Sequence, residues 1–179
     1  MVKNRQNVKV LLSEKVISNR VKELARQIEA DCGNVELIVI GLLKGACYFF
    51  ADLTRKLDLN VQIEFIKASS YGSGQVSSGA VAITQDMSCS ISGKNVLIVE
   101  DIVDTGQTLK AVLNHLWSFS PASIRTCTLV DKPSRRKVSV DVDYIGFTIE
   151  DNFVVGYGMD LDGMYRDLPY IGIYSKLNN

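Results

Sequence analysis

The sequence is poor in the residues that mark several common function classes. It has a single histidine, His115, which excludes a histidine-rich zinc site and leaves a Ser-His or Cys-His nucleophilic system only one candidate. His115 lies in LKAVLNHLW, where Leu109, Val112, Leu113 and Leu116 recur at helical spacing, so it reads as a structural or surface residue. The four cysteines, Cys32, Cys47, Cys89 and Cys127, form no Cys-x-x-Cys pair and fall within or beside apolar segments, the pattern of reduced core thiols. Net charge is missing too. The 20 Lys plus Arg balance 20 Asp plus Glu, so no global field draws the chain to nucleic acid or to an anionic membrane, and any anion must be recognised locally. The longest apolar stretch, Leu37 to Ala51, is broken by Lys44 and falls short of the roughly 20 residues that span a bilayer. MVKNRQNVKV also lacks the apolar run of a signal peptide, so a cytoplasmic protein with no membrane or nucleic-acid partner is the expectation.

What is present fits a globular domain. The 179 residues are 46% hydrophobic and 22% charged, enough for one domain with a sizeable core and no linker. No internal repeat or low-complexity tract interrupts it. Val16, Ile17, Val21, Leu24, Ala25 and Ile28 recur at helical spacing, with Gly33 placed to end the helix. ELIVIG (Glu36–Gly41) and NVLIVE (Asn95–Glu100) are continuous apolar runs, as expected of strands buried on both faces. A helical segment over Ala46–Leu57 follows the first run, and another over Gly106–Phe119 follows the second. VQIEFIKAS (Val61–Ser69), GAVAIT (Gly79–Thr84) and SIRTCTLV (Ser123–Val130) read as further strands, and the Gly- and Ser-rich SYGSGQVSS between the first two reads as a long loop. This alternation predicts an α/β fold with a parallel-sheet core flanked by helices. After Lys132 the short strands YIGF, FVVGYG and YIGIYS predict a small hood, formed with the N-terminal segment and covering roughly residues 132–175 of a single 1–179 domain.

The chemistry concentrates in VLIVEDIVDTGQTL, Val96–Leu109. Ligands of an open parallel sheet sit beyond the carboxyl ends of its strands, which places Glu100 and Asp101 at the mouth of a crevice. Asp104, Thr105, Gly106, Gln107 and Thr108 then turn into a helix, whose N-terminal N–H groups and dipole favour an anion. Acids repel phosphate, so they serve another part of the same ligand: sugar hydroxyls, a bridging Mg²⁺ or a proton in transfer. Taken singly, these acids and threonines read equally well as a solvated strand end and a helix cap. A nucleotide hydrolase needs Gly-x-x-x-x-Gly-Lys-Ser/Thr, which is absent. A phospho-accepting signalling domain carries its acidic strand near its start, not at residue 100.

VLIVEDIVDTGQTL closely resembles the phosphoribosyl-pyrophosphate motif of type I phosphoribosyltransferases. GLLKGACYF (Gly41–Phe49), SSYGSG (Ser69–Gly74), LVDKPSRR (Leu129–Arg136) and FVVGYGMDLDGMYRDLPYIG (Phe153–Gly172) narrow the resemblance to the hypoxanthine(-guanine) phosphoribosyltransferases, in order over about residues 10–175. The resemblance implies transfer of a 5-phosphoribosyl group from phosphoribosyl pyrophosphate to hypoxanthine and guanine, giving IMP or GMP and pyrophosphate, with Mg²⁺ as cofactor. It implies that Asp104–Thr108 hold the 5′-phosphate and that Glu100 and Asp101 face the ribose hydroxyls, directly or through Mg²⁺, with Asp160 as a second Mg²⁺ contact. Asp104 takes the place of the acid/base at purine N7. Lys44 and Gly45 match a pyrophosphate loop with a cis peptide bond, and Arg166 a pyrophosphate-binding arginine. Lys132 matches the donor to the purine 6-oxygen, a contact an ammonium makes with a 6-oxo base but not favourably with the 6-amino group of adenine. Phe153 matches the aromatic that stacks on the base, and the Val154 backbone its hydrogen-bonding edge. Ser70 and Tyr71 match the tip of a lid that keeps water from an oxocarbenium-like centre. Asn152 stands where many relatives have lysine, and Leu161 and Gly163 where an aromatic and an acid are frequent; these departures bear on the choice among hypoxanthine, guanine and xanthine. The rival readings are a regulatory sensor that keeps the pocket and a transferase for another base. The family also implies a homodimer or homotetramer.

Overall fold

A strand with no polar face is stable only where both of its faces are covered. The computed structural model, which describes residues 7–70 and 81–175, meets that condition for the two apolar runs. Strands β2 (Leu37–Leu43) and β5 (Asn95–Val103) lie side by side at the centre of a six-stranded sheet, flanked by β3 (Val61–Ser70), β4 (Val81–Gln85), β6 (Ser123–Asp131) and β7 (Tyr144–Thr148). The order is β4-β3-β2-β5-β6-β7. Odd and even residues of the central strands feed opposite cores. Val39, Leu97 and Val99 pack under helices α1 (Glu14–Cys32) and α2 (Cys47–Thr54) through Leu24, Ile28, Phe49 and Leu53. Ile38, Ile40, Val96 and Ile98 pack under α3 (Gln107–Trp117) through Leu109, Val112 and Leu116.

Helix α1 begins where the Ser13 hydroxyl accepts from the Val16 N–H at 3.4 Å and ends at Gly33, whose φ of 60° suits a residue without Cβ. The expected parallel core forms, with β4 added antiparallel to β3 at one edge. One expectation needs correction. YIGF does not join the hood: β7 pairs parallel with β6 at the edge of the main sheet, where Arg20 of α1 donates to the Ile145 and Gly146 carbonyls at 2.7 and 2.8 Å.

The remaining strands, β1 (Val8–Leu12), β8 (Val154–Val155) and β9 (Ile171–Tyr174), form a separate antiparallel sheet in the order β1-β9-β8. This hood docks on α2 through Tyr157, whose buried ring lies 6.2 Å from Tyr48 and whose hydroxyl donates to Asp52 Oδ2 at 2.6 Å. Among the described residues no helix is long and apolar enough to cross a membrane. Tyr71 and most of the loop expected to form a lid lie outside the described residues, and Ser70 is the last residue of β3.

Tyr157→Phe deletes the hydroxyl that ties the hood to α2 and leaves the ring in place. We expect a loss of about 1 kcal/mol in urea-unfolding free energy, with no loss if the hood is held by apolar packing alone.

Candidate active site

The parallel strands β2, β5 and β6 all run toward one end of the sheet, so their C-terminal residues converge there. β5 delivers Glu100 and Asp101. The strand continues to Val103, which pairs with Asp131, so both acids belong to the strand itself rather than to the loop after it. Asp104–Gly106 then turn the chain into α3, with Gly106 as the N-cap at φ 81°. A Cβ at Gly106 would press on the Val138 carbonyl and the Val140 side chain, so glycine suits both the conformation and the space. The turn and the acids line a cavity of about 250 Å³. The N-cap Gly106 has no side chain to cap α3, the Gln107 N–H donates to the Thr105 hydroxyl at 3.4 Å, and the positive end of the helix dipole lies at this cavity.

A second cavity, of about 200 Å³, shares Asp101, Ile102 and Asp104 with the first and is completed by Lys132, Phe153, Val154, Met159 and Asp160. Its walls suit a flat heteroaromatic base. The Phe153 ring is 52% exposed and meets Tyr174 edge-on at 6.3 Å, leaving a face open to stacking. Lys132 is only 5% exposed, and its ammonium donates to the Asn152 carbonyl at 2.5 Å. Val154 is buried in β8, where the Phe153 carbonyl accepts from the Tyr174 N–H at 2.9 Å. The Asp104 carboxylate, at the junction of the two cavities, accepts from Arg135 Nε at 3.2 Å; the same guanidinium reaches Asp151 at 3.4 Å.

β2 delivers Lys44 and Gly45 beyond the cis peptide bond between Leu43 and Lys44. Lys44 is exposed, and Gly45 is wedged between the core and the hood. A Cβ on Gly45 would fall on the Asp101 carboxylate, and one on Gly158 would fall on the Gly45 carbonyl. Arg166 stands beside this loop, donating to the Gly158 carbonyl at 2.5 Å and pairing with Asp160 at 2.6 Å. The second Asp160 oxygen accepts from the Gly163 N–H at 2.7 Å. Glu100, Asp101, Asp104, Thr105, Gly106, Thr108, Lys132, Phe153, Val154 and Asp160 line these two cavities; Gly45 abuts Asp101 and Arg166 pairs with Asp160, while Lys44 and Gln107 line neither.

The acids are under electrostatic pressure. Glu100 is 8% exposed, and its Oε2 has no hydrogen-bond partner among the described residues. Burial pushes its carboxyl well above the ordinary range, Asp101 pushes it further, and the Arg136 guanidinium opposes both. Burial likewise raises Asp101 to about 6, against hydrogen bonds from its own N–H and that of Ile102 and the charge of Arg166, with Asp160 adding to the rise. An orphaned carboxylate oxygen beside a second acid fits a hard cation or donating hydroxyls, the chemistry of Mg²⁺ and of a ribose. Among the described residues no three acidic, histidine or cysteine side chains converge as a ready metal cage, and Asp160 is already engaged by Arg166 and Gly163. Sequence reasoning did not single out Arg135, Arg136 and Asp131, which lie beside Lys132 and have no motif of their own that marks them.

A carboxyl whose pKa is higher folded than unfolded favours folding at low pH, and that contribution disappears as pH climbs from about 4.5 through the folded value. Glu100→Gln removes the burden of the buried charge. Without ligand or Mg²⁺, the variant should exceed the wild type in unfolding free energy by about 1–3 kcal/mol near pH 8, and the gain should vanish near pH 4.5. Equal stability of the two proteins at both pH values would show that Glu100 is not strained.

Comparison with known proteins agrees with this geometry. The phosphoribosyl transferase domain family matches residues 7–162. The chain is 49% identical over 173 residues to a hypoxanthine phosphoribosyltransferase of Haemophilus influenzae, spanning 94% of this chain and 96% of that one. It is 43% identical over 165 residues to the bifunctional protein TilS/HprT of Listeria innocua; the match takes in 92% of this chain but only 26% of that longer protein. Among solved structures, a hypoxanthine phosphoribosyltransferase from Staphylococcus aureus superposes with a TM-score of 0.92 at 42% identity, covering 98% of this chain and 97% of the other. A hypoxanthine-guanine phosphoribosyltransferase from Bacillus anthracis gives a TM-score of 0.89 at 46% identity, covering 93% and 98%. The chain belongs to the phosphoribosyl transferase domain family.

Proposed function

We propose that the protein is a purine salvage enzyme that transfers the 5-phosphoribosyl group of phosphoribosyl pyrophosphate to hypoxanthine and guanine, releasing pyrophosphate and IMP or GMP. One observation carries the reading. The loop after β5 offers helix N-terminal N–H groups to an anion while the strand before it offers two crowded carboxylates, and a buried ammonium with an exposed aromatic face sits across the same space. Few ligands ask for all of these at once; a phosphorylated sugar beside a 6-oxopurine does.

Each part then has a task. Asp104–Thr108 hold the 5′-phosphate at the N-terminus of α3. Glu100 and Asp101 accept from the ribose hydroxyls. Phe153 stacks on the base, and Lys132 donates to its 6-oxygen, exchanging the Asn152 carbonyl for the ligand. Asp104, once released by Arg135, takes the proton from purine N7 as N9 attacks C1′. Lys44, Gly45 and Arg166 receive the departing pyrophosphate. Glu100 and Asp101 also fit Mg²⁺, with Asp160 joining if Arg166 turns to pyrophosphate; a bound cation supplies neutralisation of the charge that develops on the leaving group. Ser70 and Tyr71 belong to the lid of this reading, and a homodimer or homotetramer is its assembly.

The base contact supplies the test. Purified protein with Mg²⁺ and phosphoribosyl pyrophosphate should turn over hypoxanthine or guanine and not adenine. Lys132→Ala should lower kcat/KM for the 6-oxopurines roughly 10- to 150-fold, the worth of a charge-assisted hydrogen bond. Unchanged base selection in the variant would assign recognition elsewhere, and turnover of adenine by the wild type would contradict the reading.

A further inference from the structure

The turn after β5 is held from behind by residues that none of the roles above includes. β6 ends at the buried Asp131, and after a single 3₁₀ turn over Pro133–Arg135 the chain brings Arg136 back across the loop. Arg136 Nη1 donates to the Val103 carbonyl at 2.7 Å and to the Asp104 carbonyl at 2.6 Å, while Nη2 pairs with the Asp131 carboxylate. The Lys137 and Val138 N–H groups continue the row, donating to the Thr105 carbonyl at 3.0 and 3.3 Å. Three successive loop carbonyls thus point toward the 136–138 segment.

This has a geometric corollary. In a planar trans peptide the C=O and the following N–H point in opposite directions, and among the described residues the only cis bond is Leu43–Lys44. Fixing the carbonyls of Val103, Asp104 and Thr105 on one side therefore turns the N–H groups of Asp104, Thr105 and Gly106 to the other. Among the described residues none of these three donates to a protein acceptor. Their side of the loop is the cavity bounded by Glu100, Asp101 and Thr108.

We propose that Asp131 and Arg136 are a positioning pair that presents the loop amides to the phosphate of the phosphoribosyl donor, touching no substrate themselves. The proposal rests on reading that loop as the phosphate site. A guanidinium is suited to the task because its planar fork serves two carbonyls and a carboxylate together, which the single ammonium of lysine cannot do in the same plane. Asp131 neutralises the half-buried charge and fixes the fork's orientation.

The test is calorimetric titration of phosphoribosyl pyrophosphate with Mg²⁺ into the full-length protein, with both Michaelis constants measured alongside. Wild type should bind; failure to do so would remove the phosphate-site reading itself. Given wild-type binding, Arg136→Lys should weaken donor affinity by about tenfold to a hundredfold, the scale of a small misplacement, while KM for hypoxanthine stays within about twofold. Asp131→Asn, which keeps the side-chain shape, should give a smaller loss in the same direction. Arg136→Ala should recover donor affinity when guanidinium is added at millimolar concentration. Donor affinity unchanged in a folded Arg136→Lys, or donor and purine constants worsening together without guanidinium rescue, would overturn the proposal.

Discussion

Three segments meet with only the Asp101 carboxylate between them, and the site exists because they do. Gly45 leaves no room for a Cβ against the Asp101 carboxylate, and Gly158 leaves none against the Gly45 carbonyl. The end of β5, the turn after β2 and the hood are therefore stacked directly on one another. Any added carbon would part the hood from the sheet and separate the residues that surround the two cavities. Tyr157, hydrogen-bonded to Asp52 of α2, fixes the hood in that position, and Arg166 closes the stack by donating to the Gly158 carbonyl.

Once the segments are stacked, the charges sort themselves by chemistry. Backbone N–H groups and a helix dipole line one wall of the cavity after β5, and the crowded carboxylates of Glu100 and Asp101 line another wall of the same cavity. A simple anion would satisfy the first and suffer from the second. In the proposed function a phosphorylated sugar accompanied by a cation would satisfy both, and the Glu100 oxygen without a partner among the described residues would serve recognition. On that reading the unliganded protein gives up stability where binding needs it, near the end of a strand otherwise largely buried.

Most of the sheet was legible in the chain because burial on both faces leaves a plain mark: the uninterrupted runs in β2 and β5 and the helical spacing in α1 and α3 all form as read. Direction and sheet membership leave no such mark. Alternation in β4 is the same whichever way the strand runs, and Tyr144–Thr148 is a short apolar run that suits the edge of either sheet. β5 was read as ending at Glu100 because a charge usually ends a strand, whereas Ile102 and Val103 still pair with β6. The candidate site residues of Val96–Leu109 stood out in the chain because they are contiguous and chemically unusual together, and the fold lines one cavity with most of them. Arg136 with Asp131, and Tyr157 with Asp52, were not, since a charged or phenolic side chain in a loop looks solvated until the fold brings its partner to it.

The central claim is that Glu100 is held in an unfavourable state that the ligand relieves, and the ¹³C shift of its side-chain carboxyl followed against pH tests it directly. In the unliganded protein the resonance should titrate above the ordinary carboxylate range, and it should move down when phosphoribosyl pyrophosphate and Mg²⁺ are added. A carboxyl that titrates near 4.5, the usual value for glutamate, and does not respond to the ligand would contradict the account.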